Sequence, residues 1–193
     1  DTVTLIDDYS PAKSQKNAID MANKLESIIR MVGDGSTKSR SNTALVDCRG
    51  EGVKGMVVLT GELQGKGLSS NLRCLYCEIE KSEVNLKAVT WLQQNTDYYC
   101  TFIQHFAYFI AYYWDALKKQ IKDNFELYRR TAEKFLSAQR LVDVMATMCS
   151  TTDIFHWFLV LYCKLQENDV KTQMGGIRNA VLNVVKRSEM LSI

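Results

Sequence analysis

The residues best suited to chemistry in this sequence are two adjacent carboxylates, Asp7 and Asp8, which follow the apolar run Val3 to Ile6. A second apolar run, Gly55 to Leu59, is followed directly by the hydroxyl side chain of Thr60. Short apolar runs of this kind predict buried strands. Carboxylate oxygens are preferred ligands of Mg²⁺, which also keeps several of its waters. If the two strands are neighbours, their carboxyl ends predict a site for Mg²⁺ and a hydrolytic water.

The acidic pair also has a simpler structural interpretation. A strand can run into an acidic turn in which Asp8 and Ser10 serve the following helix. Apolar residues at three- and four-residue steps predict that this amphipathic helix extends from about Pro11 to Met31. On the residues alone, a metal site and an acidic turn both remain open.

The rest of the chain predicts a change of architecture near residue 95. Ala44 to Cys48 fits a short strand, and the alternation of Leu75, Cys77 and Ile79 predicts a strand within Arg73 to Glu80. From Thr96 onward, long apolar and amphipathic segments predict helices only. We therefore expect an α/β domain over residues 1–95, with a partial sheet of about three to four strands and helices, and an all-helical domain over residues 96–193.

Composition narrows the class of protein. The net charge is +2, so no global field favours nucleic acid, and any such surface must be local. The six cysteines have no regular spacing and are expected to be free thiols in a reducing compartment. The start of the chain does not resemble a signal peptide, and Tyr98 to Trp114 is short for a membrane span. These features predict a cytoplasmic protein that does not enter a membrane.

Several basic residues could contact phosphate groups. Arg73 follows a Gly- and Ser-rich segment, while Arg30, Lys38 and Arg40 flank or lie in a polar loop that could touch phosphate or DNA. Each also fits an ordinary exposed position. Gly61 to Gly67 contains Gly65-Lys66, but it is one residue shorter than a phosphate-binding loop and has glycine where Ser or Thr would bind Mg²⁺.

In the order of these features, the segment from Val3 to about Leu117 resembles the helicase-like P-loop ATPases of phages and integrative mobile elements, in the wider AAA+ and superfamily 3 group. The segments that carry the resemblance are Leu5-Ile6-Asp7-Asp8, a helix ending near Arg30, a basic loop to Arg40, Gly55 to Glu62, Leu68 to Arg73, a strand from Leu75 to Glu80, and Tyr98 to Trp114. The Walker A phosphate-binding loop of that family has no counterpart here. Asp8 stands where the family usually has glutamate, and Thr60 where it more often has asparagine.

The resemblance implies a role for each candidate residue. Asp7 and Asp8 would be the Walker B acids, with Asp7 holding Mg²⁺ through water and Asp8 polarising the attacking water. Thr60 would be the sensor 1 group near the γ-phosphate of ATP, and Arg73 would reach the nucleotide of a neighbouring subunit in a homo-oligomeric ring. The expected protein is part of an ATP-dependent DNA helicase or translocase. It would be inactive without an N-terminal half that carries Walker A.

A second hypothesis comes from a different class of function. The chain could be a non-enzymatic helical protein-interaction module with a small α/β cap, in which the carboxylates are structural. The two hypotheses differ in whether Asp7 and Thr60 lie on adjacent strands, and in whether Arg73 joins them at one edge of a sheet.

Overall fold

The computed structural model describes residues 2–9, 15–35, 40–41, 47–48, 55–61 and 71–191. Contacts divide the chain into two compact units. The first contains Asp1–Tyr76 together with Ser188–Ile193, and the second contains Cys77–Arg187. We call them the sheet–helix unit and the helical unit. The division expected near residue 95 lies within the helical unit.

The sheet–helix unit is built on two parallel strands. Its elements are β1 (Thr2–Tyr9), α1 (Gln15–Gly33), β2 (Arg40–Ser41), β3 (Asp47–Cys48) and β4 (Gly55–Gly61). β1 pairs with β4 in parallel, and β2 pairs with β3 as a short antiparallel ribbon. The strands predicted around Val3 and Gly55 form, as does the predicted helix between them, within the residues described. The expected burial of both strands is wrong for one of their two faces.

Helix α1 covers one face of the parallel pair. Ile6 and Leu59 of the strands and Leu25 of the helix line a cavity of about 140 Å³ between them, together with Tyr9, Met21, Lys24 and Ile28. The opposite face is apolar but exposed, and its side chains are Val3, Leu5, Met56 and Val58. Parallel strands are usually covered on both faces, so this pair is half covered by the described residues.

The expected P-loop sheet of three to four strands is wrong. The residues that the structure describes are mostly helical and contain one parallel pair plus the two-residue ribbon. The strand predicted within Arg73 to Glu80 does not form. Its backbone has another partner, since the amide N–H of Tyr76 donates to the hydroxyl of Ser188 at 3.2 Å. Just before the segment, the side-chain Nδ2 of Asn71 donates to the carbonyl of Leu191 at 3.3 Å. These contacts to the end of the chain replace a strand ladder.

The helical unit contains five α-helices among its described residues. They are α2 (Leu86–Gln94), α3 (Thr96–Tyr112), α4 (Trp114–Ala132), α5 (Gln139–Trp157) and α6 (Glu167–Met190), the last of which ends in the sheet–helix unit. Asn85 caps α2, as its side chain accepts from the amide of Ala88 at 3.1 Å. The helix expected from Thr96 to Leu117 is interrupted at Tyr113, where α3 ends and α4 begins.

The centre of the helical unit is aromatic. Phe158 is fully buried and lies edge-on to Phe102 and Phe106 of α3, with ring centroids 5.3 and 5.1 Å apart. The buried residues of this cluster are Phe109, Leu117, Ile154, Phe158, Leu159, Val170 and Met174. Aromatic pairs in edge-to-face geometry stabilise a core beyond the area that they bury.

One helical segment, Gln139–Tyr162, is long and apolar enough to span a membrane, with a mean hydropathy of 1.3. It consists of α5 and a π-helical stretch, Phe158–Tyr162. Leu141, Val142 and Ala146 are almost wholly buried within the unit. Of its most apolar 18-residue window, 44% is buried within the described part of the chain.

Candidate functional site at the ends of two parallel strands

The structure brings Asp7 and Thr60 together. Their strands are adjacent and parallel, and the hydroxyl of Thr60 donates a hydrogen bond to a carboxylate oxygen of Asp7. Both residues are exposed. Because parallel strands place their carboxyl ends at the same edge, the contact lies where ligands bind in open α/β sheets.

The pairing of the strands is irregular at the acidic pair. Ile6 pairs with Leu59 and Tyr9 pairs with Gly61, so Asp7 and Asp8 stand opposite the single residue Thr60. This is a β-bulge, a feature that is over-represented next to active sites because it re-aims side chains. The bulge lies at the residues that form the hydrogen bond between Thr60 and Asp7.

Gly61 permits the close approach of the strands beyond the bulge. A Cβ atom added to Gly61 would lie 2.5 Å from the carbonyl oxygen of Tyr9 and 2.8 Å from its Cβ. The first neighbour is backbone and cannot rotate away. A larger residue would therefore force the strand ends apart, next to the contact between Thr60 and Asp7.

Arg73 is held at the end of α1. Its Nε and Nη2 atoms donate to Oδ1 and Oδ2 of Asp34 at 2.9 and 3.1 Å, a bidentate pair. The Arg73 side chain is 11% exposed. Its Cδ atom would lie 2.8 Å from a Cβ atom added to Gly33, so the arginine stem packs against the backbone there. Arg73 is thus held against the C-terminal end of α1.

The remaining predicted residues are only partly described. Arg30 is exposed and donates to Glu26 one turn earlier at 2.6 Å. Asp8 and Arg40 lie in strands, but their side chains are outside the described residues, as is all of Lys38. The glycine-containing segment after Gly61 is also outside the described residues.

Asp7 and Thr60 fit part of a magnesium site. Among the residues that the structure describes, no group of three or more His, Cys, Asp or Glu side chains could hold a metal. Mg²⁺ needs no such cage, since it keeps several waters and is commonly held by one or two carboxylates plus the phosphates of its substrate. One carboxylate with an adjacent hydroxyl is therefore a suitable donor set for Mg²⁺ bound to a nucleotide.

A second polar cluster, in the helical unit, was not anticipated. Asp153 of α5 accepts from Asn124 Nδ2 at 2.9 Å, from the Tyr128 hydroxyl at 3.1 Å and from Arg178 Nη2. Burial and the bond to Asp153 together raise the pKa of Tyr128 to about 12. Burial likewise raises the pKa of the nearby Cys149 thiol. The signal for this cluster was an acid within an apolar helix, because such an acid needs partners.

Comparisons with protein-family models, with characterised proteins and with solved structures found no match for this chain.

Proposed function

We propose that Asp7 and Thr60 form the acidic and hydroxyl part of a Mg²⁺–ATP site in a helicase-like ATPase. The observation that supports this most strongly is their hydrogen bond at the carboxyl ends of adjacent parallel strands, at a bulge that holds two acids opposite one hydroxyl. The phosphate-binding loop and its lysine would come from polypeptide outside this chain. The protein would work in the cytoplasm, and its substrate would be DNA.

The chemical roles follow from the donor groups. Mg²⁺ would neutralise charge on the phosphates, as it does in nucleotide hydrolysis generally. Asp7 would hold the water shell of the ion, and Asp8 would accept a proton from the attacking water. Thr60 keeps the Asp7 carboxylate in position through its hydrogen bond, and its hydroxyl could instead donate to the γ-phosphate.

Arg73 has a more demanding role in this proposal. To reach the nucleotide of a neighbouring subunit in a ring, its guanidinium would have to leave the bidentate bond with Asp34. A new bidentate bond to phosphate would replace the one that is lost. The contact between subunits would then depend on whether phosphate is present for Arg73 to bind.

The test is ATP hydrolysis by the full-length product of the gene. Asp7→Asn should lower turnover by at least about 100-fold, because it removes the charge that orders the metal. Thr60→Ala should also lose activity, whereas Thr60→Ser should keep it, because serine retains the hydroxyl. Asp20→Asn is the matched control, since Asp20 is an exposed acid that lies on α1 and not on either strand.

Three outcomes would contradict the proposal. Asp7→Asn could hydrolyse ATP at the rate of the wild type, or the full-length product could have no hydrolysis at all. Turnover by the present chain alone, abolished in Asp7→Ala, would show that the phosphate-binding loop lies inside it.

A further inference from the structure

Helix α3 carries an exposed stripe of mostly aromatic side chains. Five exposed residues recur at alternating three- and four-residue steps: Tyr98, Thr101, His105, Tyr108 and Tyr112. We call these residues the aromatic stripe. This spacing places side chains in one line along a helix and is the spacing of helix–helix seams. The core of the unit uses a different side of α3, that of Phe102, Phe106 and Phe109.

Two neighbouring aromatics extend the stripe. Trp91 of α2 stacks on Tyr98, with ring centroids 6.2 Å apart. The Tyr162 hydroxyl lies 2.8 Å from Nδ1 of His105, and the two rings are 5.6 Å apart. Tyr108 and Tyr112 are 69% and 82% exposed. The surface is thus continuous and lies wholly within the helical unit.

The chemistry of the stripe favours a protein partner over nucleic acid. Helix α3 contains no lysine or arginine, and its one acidic or basic residue besides His105 is Asp97. Single-stranded nucleic acid needs cations beside the stacking aromatics to bind its phosphates. Protein interfaces, by contrast, are depleted of charge at their centre and enriched in tyrosine and tryptophan.

The size of the surface fits a dimer. Trp91, Tyr98, Tyr108, Tyr112 and Tyr162 together expose roughly 600 Å², if an aromatic side chain offers about 200 Å². A stable interface takes about 800 Å² from each partner. The five aromatic side chains therefore supply roughly three quarters of that area.

We propose that the aromatic stripe pairs with the same stripe of a second copy of this chain. The partner that the 3–4 spacing fits is a helix with apolar residues at the same spacing, and α3 is such a helix. A two-fold axis through the stripe would place each tyrosine row against its equivalent, as in the isologous interfaces of most homodimers. The proposal does not depend on nucleotide chemistry.

The test is the mass of the whole chain in solution, measured by analytical ultracentrifugation over a range of concentrations. The wild type should be a dimer. The double variant Tyr108→Glu with Tyr112→Glu should weaken the dimer at least about 30-fold, because charge at the centre of an interface is strongly unfavourable. Ile103→Glu is the control: Ile103 is 60% exposed on α3 but lies off the stripe, so the dimer should persist.

Circular dichroism should show the same helix content in all variants, which separates lost pairing from lost folding. A wild type that stays monomeric at about 100 μM would overturn the proposal, as this is weaker than specific association requires. So would a dimer that Ile103→Glu disrupts as strongly as the tyrosine variant. A monomeric full-length product in which another segment shields the stripe from hydrogen exchange would also overturn it.

Discussion

The two units differ sharply in how much apolar surface they bury. The helical unit has a core of wholly buried side chains that includes Phe109, Leu117 and Phe158. In the sheet–helix unit, Leu25 is the one buried apolar side chain among the described residues, and one face of the strand pair is open. Burial of these apolar side chains stabilises the helical unit. The sheet–helix unit gains little from burial within the described part of the chain.

The same contrast applies to the aspartates. Asp153 has a side chain that is 17% exposed and is bonded to three donors on two other helices. Asp7 is exposed at a strand end and is bonded by a hydroxyl. A carboxylate surrounded by protein donors serves the fold, whereas one that faces solvent can meet a dissolved ion. The location of a charge therefore separates a structural acid from a candidate functional acid.

The largest effect should come from Phe158→Ala in the helical core. It should lower the free energy of unfolding by about 3–5 kcal/mol, because a large cavity forms where several rings meet. Unfolding in urea, monitored by circular dichroism, measures this free energy. Leu25→Ala should cost less, about 2 kcal/mol, since Leu25 already borders a cavity and packs in the weaker unit. An equal or larger effect at Leu25 would contradict the contrast between the units.

A smaller effect is expected from Asp153→Ala. The change leaves the partly buried Arg178 guanidinium without its carboxylate, so it should cost about 2 kcal/mol of unfolding free energy. Asp7→Ala is the comparison, and its cost should stay below about 1 kcal/mol because Asp7 is exposed. If both variants unfold at the same urea concentration, the distinction between the two aspartates is wrong.

Tyr128 adds a pH dependence to the helical unit. Its pKa is raised from 10.0 to about 12 in the fold, so the unfolded chain loses the phenol proton first as the pH rises. The stabilisation is complete below pH 10 and is lost as the pH approaches about 12. Comparing urea unfolding at pH about 9 and about 11 should show a smaller loss of stability in Tyr128→Phe than in the wild type. An equal loss of stability in the wild type and in Tyr128→Phe would show that Tyr128 does not cause this pH dependence.

The smallest effect should be a gain, at Lys164. This residue follows the π-helical stretch with a φ of 60°, in the left-handed region that favours glycine. Lys164→Gly should therefore raise the unfolding free energy by up to about 1 kcal/mol. Lys171→Gly, within helix α6, should instead lower it by about 1 kcal/mol. Thermal unfolding of the two variants, with shifts of opposite sign, is the measurement.

Short-range patterns predicted the parts of the fold that depend on neighbouring residues. The apolar runs gave β1 and β4, and the helical spacing gave α1. The adjacency of the two strands, which the ATPase hypothesis required and the sequence left open, is present in the structure. What failed depends on distant partners: Tyr76 looked like part of a strand, but its N–H bonds to Ser188 at the far end of the chain. An alternating pattern does not show whether a second strand is available to pair with it.

The candidate site was predictable to the same extent. Residue types at the ends of two strands indicated Asp7 and Thr60, and the strands did bring them together. The partner of Arg73 was not predictable, because Asp34 is distant in sequence and approaches Arg73 only once the chain has folded. The cluster around Asp153 was missed because its donors come from two other helices, and sequence spacing carries no information on such contacts.

The bulge in β1 also changes the parity of that strand. Ile6 and Tyr9 both face α1 although three positions separate them, which a ladder of strictly alternating side chains cannot achieve. The bulge takes up one additional residue of β1, so that the side chain of Tyr9 faces α1, as that of Ile6 does. Deleting one acid would remove the bulge and leave the tyrosine two positions after Ile6, so both side chains would still face α1 in a regular ladder. Packing of the tyrosine is therefore compatible with one residue or two at this point, whereas a second acid opposite Thr60 depends on the bulge.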